Sequence, residues 1–289
     1  MQSPEEVKRK LSGAESLKSI VRTMKVLAAV NVRQYEKMSA AVDSYNEIVE
    51  MGFRVFLGAD EKKHDLVQEK GNSAFIILGS DMGMCGRFND QIASHALEAI
   101  GGKGDNAVMA VGDKVSGKLE DAGIKPEETI IYPAVLSAGI VPLLREIILI
   151  IDRWRETRNI NSITVFYNKP ADSLSYSAAS KMILPMEPGY LEELRKREWK
   201  SNSIPIYKED SVKLFSSLVK NYIYVSLYRA FVESLVSENT ARLVSMQAAE
   251  KHTAERIEEL TLEYNMERQD AITSEILDII AGAEAVEGK

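Results

Sequence analysis

A glycine-rich run in the middle of the sequence is the segment most suggestive of chemistry. It reads Gly79-Ser-Asp-Met-Gly83-Met-Cys-Gly86, follows a predicted buried strand and opens a predicted helix, and Asp113 follows the next predicted strand. Dinucleotide-binding folds place a phosphate-binding turn here, but with the spacing G-x-G-x-x-G instead of the G-x-x-x-G-x-x-G of this chain. We interpret the glycines as fitting a tight strand-to-helix turn, and binding of a nicotinamide dinucleotide stays open as the alternative.

The other reactive side chains do not form a recognisable catalytic set. The three histidines, His64, His95 and His252, fall in different predicted elements, and a single cysteine adds too little for a structural zinc site. That cysteine, Cys85, lies near a predicted helix N-terminus, where the pKa of a thiol can fall, but a buried structural cysteine is the favoured interpretation. We predict no catalytic residue, no cofactor-binding residue and no metal ligand.

Short predicted strands and helices alternate around the glycine-rich run, from about residue 72 to residue 199. We predict strands at 74–78, 106–111, 128–132 and 163–167, and helices at 90–100, 114–122 and 142–157. Such alternation, with short glycine-containing turns, indicates a Rossmann-like parallel α/β domain with right-handed crossovers. We place this inserted domain at residues 72–200.

Two long helices are predicted on either side of this domain. Near the N-terminus, apolar residues advance in steps of three and four from Val7 to Tyr45, which is the pattern of a coiled-coil seam. From Ile206 to Ala281 neither proline nor glycine interrupts the chain, and residues 243–264 repeat the same spacing. We therefore predict a coiled-coil helix at 1–58 that pairs with a longer helix at 206–286.

Charge and length give two further expectations for these helices. Residues 1–37 carry a net charge of +4 and residues 250–289 a net charge of −7, so opposite fields favour pairing of the two ends. The C-terminal helix is longer by roughly 25 residues, which leaves part of it unpaired. Residues 271–280, called the apolar tip below, are apolar on most of the helix circumference and should be enclosed by another protein.

Composition sets the broad class of the protein. The 289 residues carry a net charge of −7 and are 45% hydrophobic, which is typical of a globular protein and not of a general nucleic-acid binder. A single cysteine suits a reducing compartment such as the cytosol. We find no signal-peptide core and no run of about 18 apolar residues, so we expect a soluble protein unless a partner holds it at a membrane.

Three segments resemble the gamma subunit of F-type ATP synthases. Residues 7–38, with Ile20-Val-Arg-Thr-Met-Lys-Val-Leu-Ala-Ala29, are similar to the opening helix of that family, and the glycine-rich run is similar to its S-D-x-G-L-C-G turn. The most specific similarity lies in residues 233–249 and 260–276. There the family pattern N-[KR]-x-R-Q-x-x-I-T-x-E-[IL] is met by Asn265, Arg268, Gln269, Ile272, Thr273, Glu275 and Ile276. Met82, Arg87 and Met266 depart from the family's usual residues, which suggests a divergent branch.

The resemblance implies a rotor that performs no catalysis of its own. In the family the terminal helices form an antiparallel coiled coil, and the α/β domain forms a foot. The longer helix enters a ring of alternating alpha and beta subunits, while the foot sits with the epsilon subunit on the membrane-embedded c ring. Rotation couples ion flow through that ring to ATP synthesis or hydrolysis, because the asymmetric helices bias each beta subunit between open and closed states.

The resemblance also implies partner contacts, residue by residue. Contacts with the alpha and beta ring are implied for Met24, Lys25, Glu238, Arg242, Arg268, Gln269 and Thr273. For Glu238 and Arg242 the alternative is that they help to lock the two long helices together. The turn of the foot, with Asp81, Gly83, Cys85 and Gly86, is implied to lie near the epsilon and c subunits. The protein would then be a peripheral part of a complex at the cytoplasmic face of the plasma membrane, with neither nucleic acid nor a second copy of itself as partner.

Two other classes of function stay open from the sequence. A Rossmann-type oxidoreductase with helical oligomerisation arms would bind a nicotinamide nucleotide. A structural coiled-coil adaptor would form stable homodimers through its long helices. A rotor subunit would instead co-purify with alpha and beta subunits.

Overall fold

The computed structural model describes residues 3–59, 71–100, 106–132, 139–172, 174–187, 189–197, 199, 202–203, 206–208 and 210–287. Two long helices occupy the two ends of the sequence, α1 (Pro4–Ala59, 56 residues) and α6 (Ser211–Glu287, 77 residues). Between them lie β1 (Asn72–Leu78), α2 (Phe88–Ile100), β2 (Ala107–Val111), α3 (Asp113–Asp121), β3 (Glu128–Ile130), α4 (Val141–Arg158), β4 (Ile160–Asp172), β5 (Ser175–Leu184) and α5 (Tyr190–Lys196).

Each long helix begins where a side chain caps its first turn. A carboxylate oxygen of Asp210 accepts hydrogen bonds from the backbone N–H groups of Val212 (2.9 Å) and Lys213 (3.2 Å), so α6 begins a few residues later than predicted. The hydroxyl oxygen of Ser3 accepts a hydrogen bond from the N–H of Glu6 at 3.3 Å. No helix in the described part of the chain is long and apolar enough to cross a membrane.

The chain divides into two compact units, and the first consists of residues 1–28 and 243–289. Its buried side chains recur at intervals of seven or fourteen residues: Val7, Val21 and Ala28 in α1, and Met246, Thr253 and Leu260 in α6. Seven-residue spacing is the repeat of a coiled-coil seam. Leu17, which the sequence pattern assigns to the seam, is 51% exposed.

The second unit, residues 29–242, contains the remainder of both helices and the central sheet. The contacts between its two helix segments pair Asn31 with Asn239 (3.2 Å), Asp43 with Arg229 (2.7 Å) and Tyr45 with Asn221 (3.0 Å). The residue number falls along α6 as it rises along α1, so the two helices are antiparallel. The predicted antiparallel coiled coil of the terminal helices is confirmed.

A five-stranded sheet with the order β3-β2-β1-β4-β5 forms the centre of the second unit. β1 pairs in parallel with β2 and β4, and β2 pairs in parallel with β3, which confirms the predicted α/β architecture. β5, which is not among the predicted strands, pairs antiparallel with β4 and makes the sheet mixed. Every residue of its sequence, SYSAASKMIL, except Ile183 is exposed or half-buried, as suits a strand at the edge of a sheet.

Helices cover both faces of this sheet. Successive residues of a strand point to opposite faces, so Ile76 joins the core that includes α4 and α6, whereas Ile77 joins the core that includes α2 and α3. The carboxyl ends of parallel β1, β2 and β3 meet at one edge of the sheet. The turn after β1 and the chain after β3 therefore lie close together, and this edge carries the candidate site.

Candidate functional site

The glycine turn, residues 79–87, connects β1 to α2 and is held by hydrogen bonds of Ser80 to Met82 of the turn and to Asn89 of α2. The side-chain oxygen of Asn89 accepts a hydrogen bond from the Ser80 N–H (2.9 Å), and its amide donates to the Ser80 hydroxyl oxygen (2.8 Å). The Ser80 hydroxyl in turn donates to the Met82 carbonyl (2.8 Å). Cys85 is 2% exposed, and burial raises the pKa of its thiol. The structure thus gives Cys85 the properties of a structural cysteine and not of a reactive one.

Two close approaches explain why this part of the sheet edge needs glycine. A Cβ atom on Gly79 would lie 2.3 Å from Cβ of Val115 in α3. Gly112, which follows β2, has a φ of 116°, and a Cβ atom there would lie 2.9 Å from the Ser80 backbone. Gly83, by contrast, has no atom within 4 Å of such a Cβ position. The requirement for glycine therefore comes from the packing of adjacent turns.

Asp81 of the glycine turn is bonded to two backbone N–H groups at the same edge of the sheet. Its carboxylate accepts hydrogen bonds from the backbone N–H of Asp113 (2.7 Å), where α3 begins, and from the N–H of Tyr132, after β3. Burial raises the pKa of the Asp81 carboxyl, and these two hydrogen bonds work against the rise. Because both N–H groups are bonded to a carboxylate of the chain itself, they are not available to a phosphate.

A buried polar cluster of Tyr132, Glu238 and Arg242, the turn–helix cluster, joins the glycine turn to α6. One terminal nitrogen of Arg242 donates to Glu238 Oε1 (2.6 Å) and to the Met82 carbonyl (3.1 Å). The Tyr132 hydroxyl lies 3.0 Å from Glu238 Oε2 and 2.8 Å from the Gly79 carbonyl oxygen. Both Gly79 and Met82 of the turn are therefore bonded to side chains of a single polar cluster.

Burial dominates the electrostatics of this cluster. It raises the pKa of the Glu238 carboxyl, although the Arg242 guanidinium works against the rise. Burial, together with the nearby Glu238 carboxylate, also raises the pKa of the Tyr132 phenol well above its ordinary value, so that the phenol remains a hydrogen-bond donor. The three side chains line a cavity of about 20 Å³, which is the size of a single water and far too small for a nucleotide.

A much larger cavity, of about 1120 Å³, lies elsewhere in the second unit. Mainly apolar side chains of α4, β5 and the start of α6 line it, together with charged Asp152, Arg155 and Lys220. Its described lining includes no residue of the glycine turn. A Rossmann-type dinucleotide site needs the phosphate-binding turn at its ligand cavity, so the geometry does not favour the oxidoreductase alternative. Over the described ranges, no group of His, Cys, Asp or Glu residues is placed to hold a metal ion.

Met24 and Lys25, for which the sequence implies ring contacts, lie in the first unit. Met24 is half-buried. Lys25 forms an ion pair with Glu250 of α6, and the side chains are 30% and 25% exposed. The hydrogen bond from Lys25 lowers the pKa of the Glu250 carboxyl. The Lys25 ammonium is therefore already engaged with the other helix of the chain.

The rest of the implied ring contacts lie toward the end of α6. Arg268, Gln269 and Thr273 are exposed, and the Thr273 hydroxyl donates to the Gln269 carbonyl at 2.8 Å. The large side chains of the apolar tip are exposed as well: Ile272 45%, Ile276 52%, Leu277 60%, Ile279 71% and Ile280 48%. Of the α6 side chains that the structure describes beyond Leu260, none is buried.

The structure brings together two sets of residues that the sequence analysis assigned to different partners. Arg242, implied to contact the ring, is bonded to the Met82 carbonyl of the turn that contains Asp81, Gly83, Cys85 and Gly86. Glu238, implied to contact the ring as well, is bonded to Arg242 and to Tyr132. Tyr132, which completes this site, is not singled out in the sequence. Its signal is its place as the last residue of the third predicted strand, 128–132, because parallel strands end at the same edge of a sheet.

Comparisons with known proteins agree on the family and the fold. A family model described as ATP synthase matches residues 3–286. A rotor chain of the Euglena gracilis mitochondrial ATP synthase, in rotational state 1, is 14% identical with a TM-score of 0.65, and the match covers 93% of this chain and 98% of that chain. A chain from the OSCP/F1/c-ring structure of the same enzyme, in rotational state 3, is 15% identical with a TM-score of 0.64, over 98% of this chain and 94% of that chain. A chain of the central stalk and c-ring structure of the Tetrahymena thermophila mitochondrial ATP synthase is 17% identical with a TM-score of 0.58, over 80% of this chain and 99% of that chain.

Proposed function

This chain belongs to the F-type ATP synthase gamma family and is a central-stalk rotor subunit, and we propose that it turns within a ring of alternating alpha and beta subunits. In this role it couples ion flow through a c ring to ATP synthesis or hydrolysis in the beta subunits. The chain itself is a non-catalytic subunit. The observation that carries the proposal is the exposed apolar tip of α6.

The apolar tip has the properties of a surface that a partner covers. Five of its large apolar side chains are between 45% and 71% exposed, and they are nearly contiguous along one helix. Exposed apolar patches of this kind mark contacts with other proteins. We propose that the alpha and beta subunits enclose this end of α6, with Arg268, Gln269 and Thr273 as polar contacts beside it.

A second exposed apolar surface lies on α1 near Met24 and Lys25. Ile20, Val26 and Leu27 are each more than half exposed. We propose that this surface meets the loops of the beta subunits. An asymmetric rotor that contacts the three beta subunits differently at each angle shifts each one between open and closed states by differential contact.

Residues 72–200 form the foot in this proposal. The glycine turn carries Met82 and Met84, which are 40% and 54% exposed, next to the buried side chains that hold it to α6. Methionine suits adaptable apolar interfaces. We propose that this turn faces the epsilon and c subunits, and that these partners hold the protein peripherally at the cytoplasmic face of the plasma membrane.

Co-purification tests the proposal. The tagged chain, co-expressed with alpha and beta subunits, should elute with both of them, whereas a structural adaptor would elute as a homodimer. Arg268→Ala should speed dissociation from the ring by about tenfold or more, the value of a lost charged hydrogen bond. Arg153→Ala removes an exposed arginine of the foot, 56% exposed and paired with Glu128, and should leave dissociation unchanged. A wild-type chain that elutes without alpha and beta subunits would refute the proposal.

A truncation tests the contribution of the apolar tip. A chain that ends at Ala271 should bind the alpha and beta subunits more weakly, because the enclosed apolar surface is lost. The foot should resist limited proteolysis as in the full chain, because the second unit ends at Arg242. Cleavage throughout residues 72–200 in the truncated chain would contradict the proposed division into foot and paired helices.

A further inference from the structure

Tyr132 lies at the junction of three parts of the second unit. It follows β3 by two residues, and its backbone N–H is bonded to the Asp81 carboxylate. Its hydroxyl lies 2.8 Å from the Gly79 carbonyl oxygen and 3.0 Å from Glu238 Oε2. Its ring packs edge-on against Phe231 of α6, with 5.5 Å between the ring centroids. A single buried side chain thus contacts the end of β3, the glycine turn and α6.

The hydrogen bonds of Tyr132 differ in kind from the apolar contacts around them. The core that includes this face of the sheet and α6 contains Leu227, Phe231 and Leu235. Hydrophobic contacts are non-directional, and packed helices can slide past their neighbours by small amounts. A hydrogen bond has a preferred length and angle, and burial removes competition from water. The polar contacts therefore fix an orientation that the apolar contacts leave adjustable.

We infer that Tyr132 is a positioning residue that fixes the glycine turn, and the sheet behind it, at one angle on α6. It acts through Glu238, whose second oxygen is bonded to Arg242, and Arg242 is bonded in turn to the Met82 carbonyl. Under load, turning force on the sheet reaches α6 through these directional bonds. The inference rests on the proposed rotor function.

The variant Tyr132→Phe isolates this role because it removes the hydroxyl and keeps the ring against Phe231. The sheet also stays attached to α6 through their shared apolar core, which includes Ile76 of β1 and Val225 of α6. The matched control is Tyr45→Phe, which removes a 3.0 Å hydrogen bond between α1 and Asn221 of α6 and leaves the glycine turn untouched. Both variants delete one hydroxyl and conserve an aromatic ring.

The assay uses the assembled complex in sealed membrane vesicles. ATP hydrolysis is first measured without load, in the presence of an uncoupler. It is then measured at the steady membrane potential. Hydrolysis that continues there in excess of the ion leakage is not coupled to ion transport, and this uncoupled hydrolysis is called slip. Tyr132→Phe should leave hydrolysis without load unchanged. Slip should rise by about threefold to tenfold, the factor that corresponds to one buried hydrogen bond. Tyr45→Phe should resemble the wild type in both measurements.

Two results would overturn the inference. One is a rate of slip in the Tyr132→Phe complex that equals the wild-type rate. The other is a fall of hydrolysis in proportion to a smaller amount of assembled complex, without extra slip, because a merely structural residue behaves in that way. Failure of the wild-type chain to join alpha and beta subunits would instead refute the proposed function, and that failure is visible before any variant is compared.

Discussion

Replacing Arg242 by methionine removes the one positive charge of the turn–helix cluster and keeps an unbranched aliphatic stem. The Arg242 and Glu238 side chains are 10% and 7% exposed, so the variant leaves a buried carboxylate without its partner. Removing one member of a buried ion pair costs about 3–5 kcal/mol of folding free energy. We expect Arg242→Met to reduce the free energy of unfolding by about that amount at neutral pH.

A double variant distinguishes this explanation from simple loss of packing. With Glu238→Leu added to Arg242→Met, no charge remains buried, and the Met82 carbonyl has lost its charged donor. The double variant should therefore lose only about 2 kcal/mol, less than Arg242→Met alone. An exposed pair on the same helix serves as control: Arg256 and Glu259 are 56% and 64% exposed, and Arg256→Met should cost less than about 1 kcal/mol.

The stability lost in Arg242→Met should depend on pH, and the pKa of Glu238 gives the direction. The pKa of the Glu238 carboxyl is raised in the folded chain, so its contribution to stability is present below the ordinary glutamate pKa and is lost as the pH rises through the folded value. Arg242 works against that rise, so its removal moves the folded pKa further up. The deficit of Arg242→Met relative to the wild type should therefore be larger at about pH 8 than at about pH 5.

Guanidinium unfolding of the purified chain, followed by circular dichroism at both pH values, measures these quantities. This explanation is refuted if the double variant loses at least as much folding free energy as Arg242→Met alone. It is also refuted if the deficit of Arg242→Met does not change with pH. Either result would mean that the buried charge does not set the cost.

Two further predictions concern packing. Gly79→Ala should lower the melting temperature strongly, because its Cβ would lie 2.3 Å from Cβ of Val115, whereas Gly83→Ala has open space and should be tolerated. Equal melting temperatures for these two variants would contradict the close approach at the turn. In the coiled-coil seam, Leu260 is 2% exposed and Leu262 is 66% exposed, so Leu260→Ala should cost about 2–5 kcal/mol and Leu262→Ala less than about 0.5 kcal/mol, both from denaturant unfolding.

The helices and the parallel strands could be predicted because their signals are local. A heptad pattern and a stretch without proline or glycine specify α1 and α6 within their own residues. β1 and β2 are short, largely apolar runs bounded by turns, and the predicted strand at 163–167 is the apolar centre of the longer β4. β5 lacks such a signal, because its first six residues, SYSAAS, are mostly small or polar and stay partly exposed at the sheet edge. It forms a strand because it pairs with β4, and its own composition does not indicate this.

The turn–helix cluster could not be predicted because its members are distant in sequence. Tyr132 and Glu238 are 106 residues apart, and Arg242 is 160 residues from Met82. Only the topology of the sheet, which brings the ends of β1 and β3 to one edge against α6, places them together. The glycine run and its place after a strand left a ligand site open as the alternative, whereas in the structure the Asp81 carboxylate is bonded to the N–H groups of Asp113 and Tyr132.

Because Glu238 and Arg242 are bonded within the chain, a substitution at either position would affect the ring indirectly. A residue that contacts the ring directly would act through its own charge, and a change there would alter binding without moving the foot. Glu238 is instead hydrogen-bonded to Tyr132, and Arg242 is hydrogen-bonded to the Met82 carbonyl. A change at either position therefore displaces the glycine turn first, and any effect on the ring follows from the altered angle between the sheet and α6. Loss of coupling in such a variant should be accompanied by faster proteolysis within residues 79–87, which a change confined to a ring contact would not produce.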